Sequence, residues 1–263
     1  MDLQLGDKTA LVTGSTGGIG FAIAQGLAAE GAAVIVNGRD EQRVKDAIER
    51  IKSKHPNAEV GGMHADLASR EGVEQLTDHA RKTDILVNNV GIFEPREFLQ
   101  IEDDDWQRFF DANVMSAVRL SRHYLPGMLE RGWGRLLFIS SESGIHIPAE
   151  MVHYGFTKAA LLAVSRGIAE SIPGTGVTAN AILPGPTRSE GVSEMLADMA
   201  DEGQSQDSVE QAFIENERPS SLIKRLATPE EVANLVVYMA SPLSSATTGA
   251  PMRVDGGVVR AMT

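Results

Sequence analysis

The chain has no cysteine among its 263 residues, which excludes disulfides, thiolate nucleophiles and cysteine metal ligands. It has no apolar run long enough to span a bilayer and no low-complexity tract. Positive charge is scarce beside negative charge, and the formal net charge is -12. That balance disfavours nucleic acid and anionic membranes and suits a small, neutral or weakly charged substrate. The opening Met1 to Asp7 has neither the basic flank nor the apolar core of a secretory signal, so the expectation is a cytoplasmic protein. Histidine and carboxylate spacings that would hold a metal are absent, and Ser141 lacks the histidine partner a hydrolase needs.

What is present is alternation. Short apolar runs at Lys8 to Val12, Ala33 to Val36, Asp84 to Val87, Arg135 to Ile139 and Val177 to Ile182 are separated by longer amphipathic stretches. The continuous apolar character of these runs marks strands covered on both faces. The expectation is an α/β fold of the doubly wound Rossmann type: a three-layer sandwich with a mainly parallel sheet of about seven strands, residues 1–263 forming a single domain. Thr228-Pro229-Glu230-Glu231 carries a capping threonine, a proline at the first helical position and a glutamate able to close a capping box, so a late helix starts there. A last strand follows near Met252 to Val254. Residues 188–225 break the alternation with polar and acidic residues around Met195, Leu196, Met199, Phe213 and Ile214, which reads as a mobile helical lid over the substrate.

In such folds ligands sit beyond the carboxyl ends of the strands. After the first run comes Thr13-Gly14-Ser15-Thr16-Gly17-Gly18-Ile19-Gly20, a turn almost without side chains, and then a helix face at Ile19, Ala22, Ile23, Gly26 and Leu27. Such a turn lets the backbone approach a pyrophosphate, which the free N–H groups and dipole of the new helix attract. Further along, only three tyrosines occur, and Tyr154 alone is followed four residues later by lysine, Lys158, on the same helix face. Ile139-Ser140-Ser141 ends an apolar run, which aims a serine hydroxyl into the crevice towards Tyr154.

Together these motifs closely resemble the short-chain dehydrogenase/reductase family over nearly the whole chain. Thr13 to Gly20 matches its cofactor turn, Asn88-Asn89-Val90-Gly91 its fourth-strand motif, and Asn113, Ser141, Tyr154 and Lys158 its catalytic set. Pro184-Gly185 matches its turn after the sixth strand, and Val254-Asp255-Gly256-Gly257 its carboxyl-terminal signature. Val90 stands where alanine is commoner, and Ser189 where threonine usually meets the nicotinamide carboxamide. The resemblance implies a cofactor site of Gly14, Ser15, Thr16, Gly18, Ile19, Gly20, Arg39, Asp66, Leu67, Asn89, Gly91, Tyr154, Lys158, Pro184, Gly185, Thr187 and Ser189. It implies a reaction in which a ketone or aldehyde and an alcohol interconvert by hydride transfer. Tyr154 is then the general acid or base, its phenolate stabilised by the Lys158 ammonium. Ser141 holds the substrate oxygen, and Asn113 fixes a water that relays protons past Lys158. A homotetramer or homodimer is also implied, joined in part through the helices bearing Asn113 and Tyr154.

Two readings of the cofactor compete. Asp40 lies about 20 residues beyond the glycine turn, the distance of an NAD-selecting acid. Matched to the family from the strand end, Gly38 instead replaces that aspartate and Arg39 follows it, which favours NADP(H), since a guanidinium grips a 2′-phosphate. Asp40 then reads as a helix cap, and NAD(H) remains the alternative. Asp66 matches an adenine-contacting aspartate or is itself a cap. His146 and His153 line the entrance or touch substrate. Glu142 selects a polar or cationic substrate group or faces solvent. Arg119, Arg122 and Arg131 form either a docking patch for an acyl carrier protein or a solvated face. The alternatives to a general carbonyl reductase are a 3-oxoacyl thioester reductase, an NAD-dependent sugar, polyol or alcohol dehydrogenase, and a silent nucleotide-binding scaffold.

Overall fold

The chain was analysed as a computed structural model, which describes residues 2–198, 200 and 204–262. Seven strands form one sheet: β1 (Thr9–Val12), β2 (Ala33–Gly38), β3 (Val60–His64), β4 (Ile85–Asn88), β5 (Gly134–Ile139), β6 (Val177–Pro184) and β7 (Pro251–Val254). Their order is β3-β2-β1-β4-β5-β6-β7, and every neighbouring pair is parallel. The register sets Asn88 beside Phe138 and Ile139 beside Ile182, so the carboxyl ends of β4, β5 and β6 open onto one crevice. That crevice flanks the reversal of strand order beside β1, where open α/β sheets bind ligands.

The nine α-helices described are α1 (Gly18–Ala29), α2 (Glu41–Lys54), α3 (Arg70–His79), α4 (Asp103–Phe110), α5 (Ser116–Glu130), α6 (Val152–Ser171), α7 (Glu190–Asp198), α8 (Gln206–Glu217) and α9 (Pro229–Ala240). α1, α2 and α9 bury their apolar faces on one side of the sheet, around Ile23, Leu27, Val44, Ile51 and Val236. α3, α5 and α6 cover the other side with Leu76, Leu120, Met128 and Leu161. β4, β5 and β6 are buried at every residue. Each fully buried aliphatic side chain there contributes about 1.5–3 kcal/mol, which is why these runs are unbroken rather than alternating. None of the described helices is long and apolar enough to cross a membrane.

The expected stretch after β6 is helical, as α7 and α8, and these pack on each other through Leu196, Val209 and Ile214, with Met195 and Phe213 beside them. Met199 lies outside the described residues. The predicted start of α9 is a complete capping box: Thr228 Oγ1 accepts from Glu231 N at 3.2 Å, and the Glu231 carboxylate accepts from Thr228 N at 2.8 Å.

Close approach explains one glycine of the first turn. A Cβ at Gly20 would stand 2.4 Å from both Gly14 O and Asn89 Nδ2. Replacing Gly20 with alanine should therefore cost about 1–3 kcal/mol of stability through overpacking, measured as a lower urea midpoint at unchanged slope.

Candidate active site

The first turn is tied to the end of β4 rather than standing free. Thr13 Oγ1 accepts from the backbone N–H groups of Asn89 and Val90 at 2.9 and 3.1 Å, and Asn89 Nδ2 donates to Thr13 O and Gly14 O at 2.9 and 3.0 Å. Gly14 and Gly18 hold positive φ, at 58° and 54°. Four other helices, α2, α3, α8 and α9, are capped at their N-termini by Asp40, Ser69, Ser205 and Thr228. α1 follows Gly17, at its N-cap, with no side-chain cap and no acid in its first turn. Its free N–H groups and positive dipole end are a ready anion site, which fits a dinucleotide pyrophosphate. At the end of β2, Arg39 is exposed and, among the described residues, its guanidinium has no partner. A side chain at Gly38 would meet the Thr16 methyl at 2.5 Å, so the position before Arg39 is closed to an NAD-selecting acid unless Thr16 moves. Asp40 is a cap, accepting from Arg43 N at 2.8 Å. The site thus fits a phosphorylated dinucleotide.

Three expected cofactor contacts look different in three dimensions. Ser15 is fully buried; its hydroxyl donates to Val12 O at 2.6 Å and accepts from Asn37 N at 3.0 Å. It braces the turn, and its side chain is not offered to a ligand. Leu67 packs its side chain into the core with Leu76 and Leu11, so any contact to a nucleotide runs through its backbone. Asp66 is exposed and accepts from Ala68 N at 3.1 Å within the loop before α3, whose cap is Ser69, so the helix-cap reading of Asp66 does not hold.

The catalytic candidates meet in one cleft, lined by Ser141, Tyr154 and Lys158 together with Ile19, Asn89, Gly91, Pro184, Gly185, Thr187 and Ser189. The apolar part of its wall comes from Phe93, Met151, Val192, Met195 and Phe213. Tyr154 and Lys158 lie on α6 as their spacing predicted, the ammonium 5.6 Å from the phenol ring centroid. Lys158 is buried and its Nζ donates to Ile139 O at 2.9 Å. Phe93 packs edge-on against the Tyr154 ring.

The electrostatics depart from the expected pairing. Burial, and after it the Glu142 carboxylate, push the Tyr154 phenol above its ordinary value, while the hydrogen bond with Ser141 and the charge of Arg218 pull the other way. Burial lowers Lys158 to about 8. The lysine head is turned to the Ile139 carbonyl, so desolvation dominates both groups and the phenol keeps its proton at neutral pH.

Asn113 sits in a π-helical turn, Asp111–Met115, between α4 and α5. Its Oδ1 accepts from Ile92 N at 2.7 Å, and its Nδ2 donates to Ile92 O at 3.0 Å and to Thr157 Oγ1 at 2.9 Å. The side chain therefore clamps the segment after β4 to α6.

Residues set aside in the sequence also resolve. His153 is fully buried between Trp106 and Phe109 with no hydrogen-bond partner at either ring nitrogen, and it is not part of the cleft; desolvation lowers its pKa. His146 is exposed. Arg119 and Arg131 are held by Ala68 O and Thr83 O and by Asp111 and Asp84, while Arg122 and Arg131 are exposed. Glu142 neither faces solvent nor awaits a cation: it is buried in the cleft wall against Arg218, with Arg218 Nε 2.9 Å from its Oε1. Arg218 was not legible beforehand, because it follows α8 and lies 76 residues from its partner with no local motif to mark it.

Comparison with known proteins agrees with this geometry. A family model described as Enoyl-(Acyl carrier protein) reductase matches residues 14–259. The chain is 49% identical to an uncharacterized oxidoreductase, YvaG, of Bacillus subtilis over the full length of both. It is 33% identical to the 3-oxoacyl-[acyl-carrier-protein] reductase FabG of Aquifex aeolicus, covering 98% of this chain and 100% of the other. Among solved structures, L-sorbose reductase from Gluconobacter frateurii complexed with NADPH and L-sorbose superposes with a TM-score of 0.94 at 32% identity, covering all of both chains. With the strand order, the uncapped α1 turn and the Ser141, Tyr154 and Lys158 cleft on one side and these full-length likenesses on the other, the chain belongs to the short-chain dehydrogenase/reductase family and is a nicotinamide-dependent oxidoreductase, with NADP(H) favoured.

Proposed function

We propose that the protein interconverts a small ketone or aldehyde and the corresponding alcohol, with NADP(H) as the hydride carrier. The observation that carries this reading is the convergence of Ser141, Tyr154 and Lys158 on one wall of a cleft whose other end is the uncapped start of α1. When bound, the cofactor supplies or accepts the hydride. Tyr154 donates its proton to the carbonyl oxygen during reduction, and its burial keeps that proton in place at neutral pH. Ser141 directs its hydroxyl to the same oxygen. Lys158 holds positive charge beneath the site, and Asn113 keeps α6 and the segment after β4 in register. Residues 188–225, with α7 and α8, act as the substrate lid, and residues 1–263 act as a single domain.

A 3-oxoacyl thioester reductase is the second reading, favoured by the FabG relatives. On α5, Arg119 is bound to Ala68 O and Asp111, which leaves Arg122 as the basic residue of that helix offered to an acidic carrier protein. We also propose a homodimer or homotetramer acting in the cytoplasm; light scattering that returned a monomer would refute the assembly.

NADPH and NADH oxidation measured against a panel of ketones, sugars, polyols and acetoacetyl thioesters tests the reading. Tyr154→Phe should lower kcat by about 10²–10⁴-fold while NADPH still binds, as seen by quenching of tryptophan fluorescence. Arg39→Ala should raise the NADPH Michaelis constant by about 10- to 100-fold, leave that for NADH nearly unchanged, and so erase the preference. Lys158 is an ammonium below about 8 and a neutral amine above it. The kcat/KM for NADPH should therefore fall as pH rises through that value, and this limb should be missing from the residual activity of Lys158→Met.

A further inference from the structure

Glu142 is an unusual neighbour for a serine that must donate to a carbonyl oxygen. It is buried in the cleft wall, and every donor around it is accounted for. Oε1 takes Arg218 Nε at 2.9 Å; Oε2 takes Ser143 N at 2.7 Å, Ser143 Oγ at 2.9 Å and the hydroxyl of Ser141 itself. Arg218 is as buried as Glu142, at 6% and 5% side-chain exposure, so the carboxylate has a desolvated counterion and a fixed direction.

The hydroxyl of Ser141 has one proton and donates to one acceptor at a time. To engage a carbonyl oxygen it must let go of Glu142, which takes one of three donors from a buried carboxylate oxygen and leaves only Ser143 N and Ser143 Oγ on it, a weakening of charge-assisted bonds that is costly. A substrate repairs this if it carries a hydroxyl on the carbon next to the carbonyl. In such a compound the two oxygens lie about 2.7 Å apart, the spacing of hydrogen-bonded oxygens. Ser141 Oγ and Glu142 Oε2 are themselves adjacent partners in one hydrogen bond, so two neighbouring substrate oxygens can each meet one of them. The carbonyl oxygen then accepts from Ser141 while the substrate hydroxyl donates to Glu142, and each donor and acceptor keeps a partner. A simple ketone cannot make this exchange. A 2-oxo acid would set a second carboxylate against Glu142, and a cationic group would compete with Arg218, which already fills that role.

We propose that Glu142, aimed by Arg218, is a specificity-determining residue that selects α-hydroxy carbonyl compounds, and in the reverse direction vicinal diols. The inference rests on the carbonyl–alcohol reading above and narrows its substrate class. Phe93, Met151 and Phe213 leave the rest of the molecule free to be hydrocarbon.

The test is NADPH oxidation with matched pairs, 1-hydroxy-2-butanone against 2-butanone and 2-hydroxycyclohexanone against cyclohexanone, with pyruvate as the anionic member. For the wild type, kcat/KM should favour the hydroxylated member of each pair by about tenfold or more, with pyruvate poorest. The same ratios are then measured for Glu142→Gln and for the double variant Glu142→Leu/Arg218→Met, which removes both charges together and guards against misfolding of the single variant. Comparing ratios between proteins cancels the intrinsic reactivity of each ketone. Ratios that fall at least fivefold in either variant support the proposal, and a general loss of structure would lower both members of a pair alike. Equal ratios in wild type and variants overturn the proposal while leaving the carbonyl reductase reading intact. No turnover of any carbonyl by the wild type overturns that reading and the proposal with it.

Discussion

The hydroxyl of Thr13 joins the ends of β1 and β4 by accepting two backbone N–H groups, and the amide of Asn89 closes the same junction from the other side. The rest of the site is built out from this clasp. It holds the glycine turn in a shape where Gly14 has positive φ and Gly20 has no room for a side chain, so that α1 starts uncapped at the rim of the crevice. Because all seven strands are parallel, the ends of β5 and β6 arrive at the same rim, bringing Ser141 and Pro184 to the turn. The start of α1 and the Tyr154 phenol thereby share one cleft.

Desolvation sets the chemistry within that cleft. Lys158 and Glu142 are both buried, and each is met differently: the ammonium by a single backbone carbonyl, the carboxylate by a guanidinium and two serines. Burial lowers the lysine and raises the phenol, the direction that keeps a proton on Tyr154. The same dry environment makes the hydrogen bond between Ser141 and Glu142 consequential, since a donor withdrawn there is not replaced by solvent. Arg218 brings the end of α8 into this network, so the segment above the cleft bears on the electrostatics below it.

Much of this was legible in order along the chain. The buried strands, the cap at Asp40, the capping box at Thr228 and the helical pairing of Tyr154 with Lys158 are all products of short-range spacing, and each stands where the pattern placed it. The misreadings have a common cause. Ser15 has the composition of a phosphate-binding turn but its hydroxyl is occupied by Val12 and Asn37; His153 neighbours Tyr154 in sequence but points into the packing of Trp106 and Phe109. In both cases the side chain turned to partners elsewhere in the fold, across the turn for Ser15 and into the packing on the far face of the helix for His153, so nearness in sequence did not amount to nearness in the site.

The sequence by itself determined the fold class, the position of the glycine turn and the placing of Tyr154 and Lys158 on one helix face, because the strand, turn and helix patterns that mark them are written in residues a few positions apart. Only the tertiary structure decided what surrounds those groups. Arg218, Ile92 and Ile139, which meet Glu142, Asn113 and Lys158, lie 76, 21 and 19 residues from them. Which of two polar side chains is buried and paired, and which is left for a ligand, depends on how distant segments close over the sheet, and no local pattern records that closure.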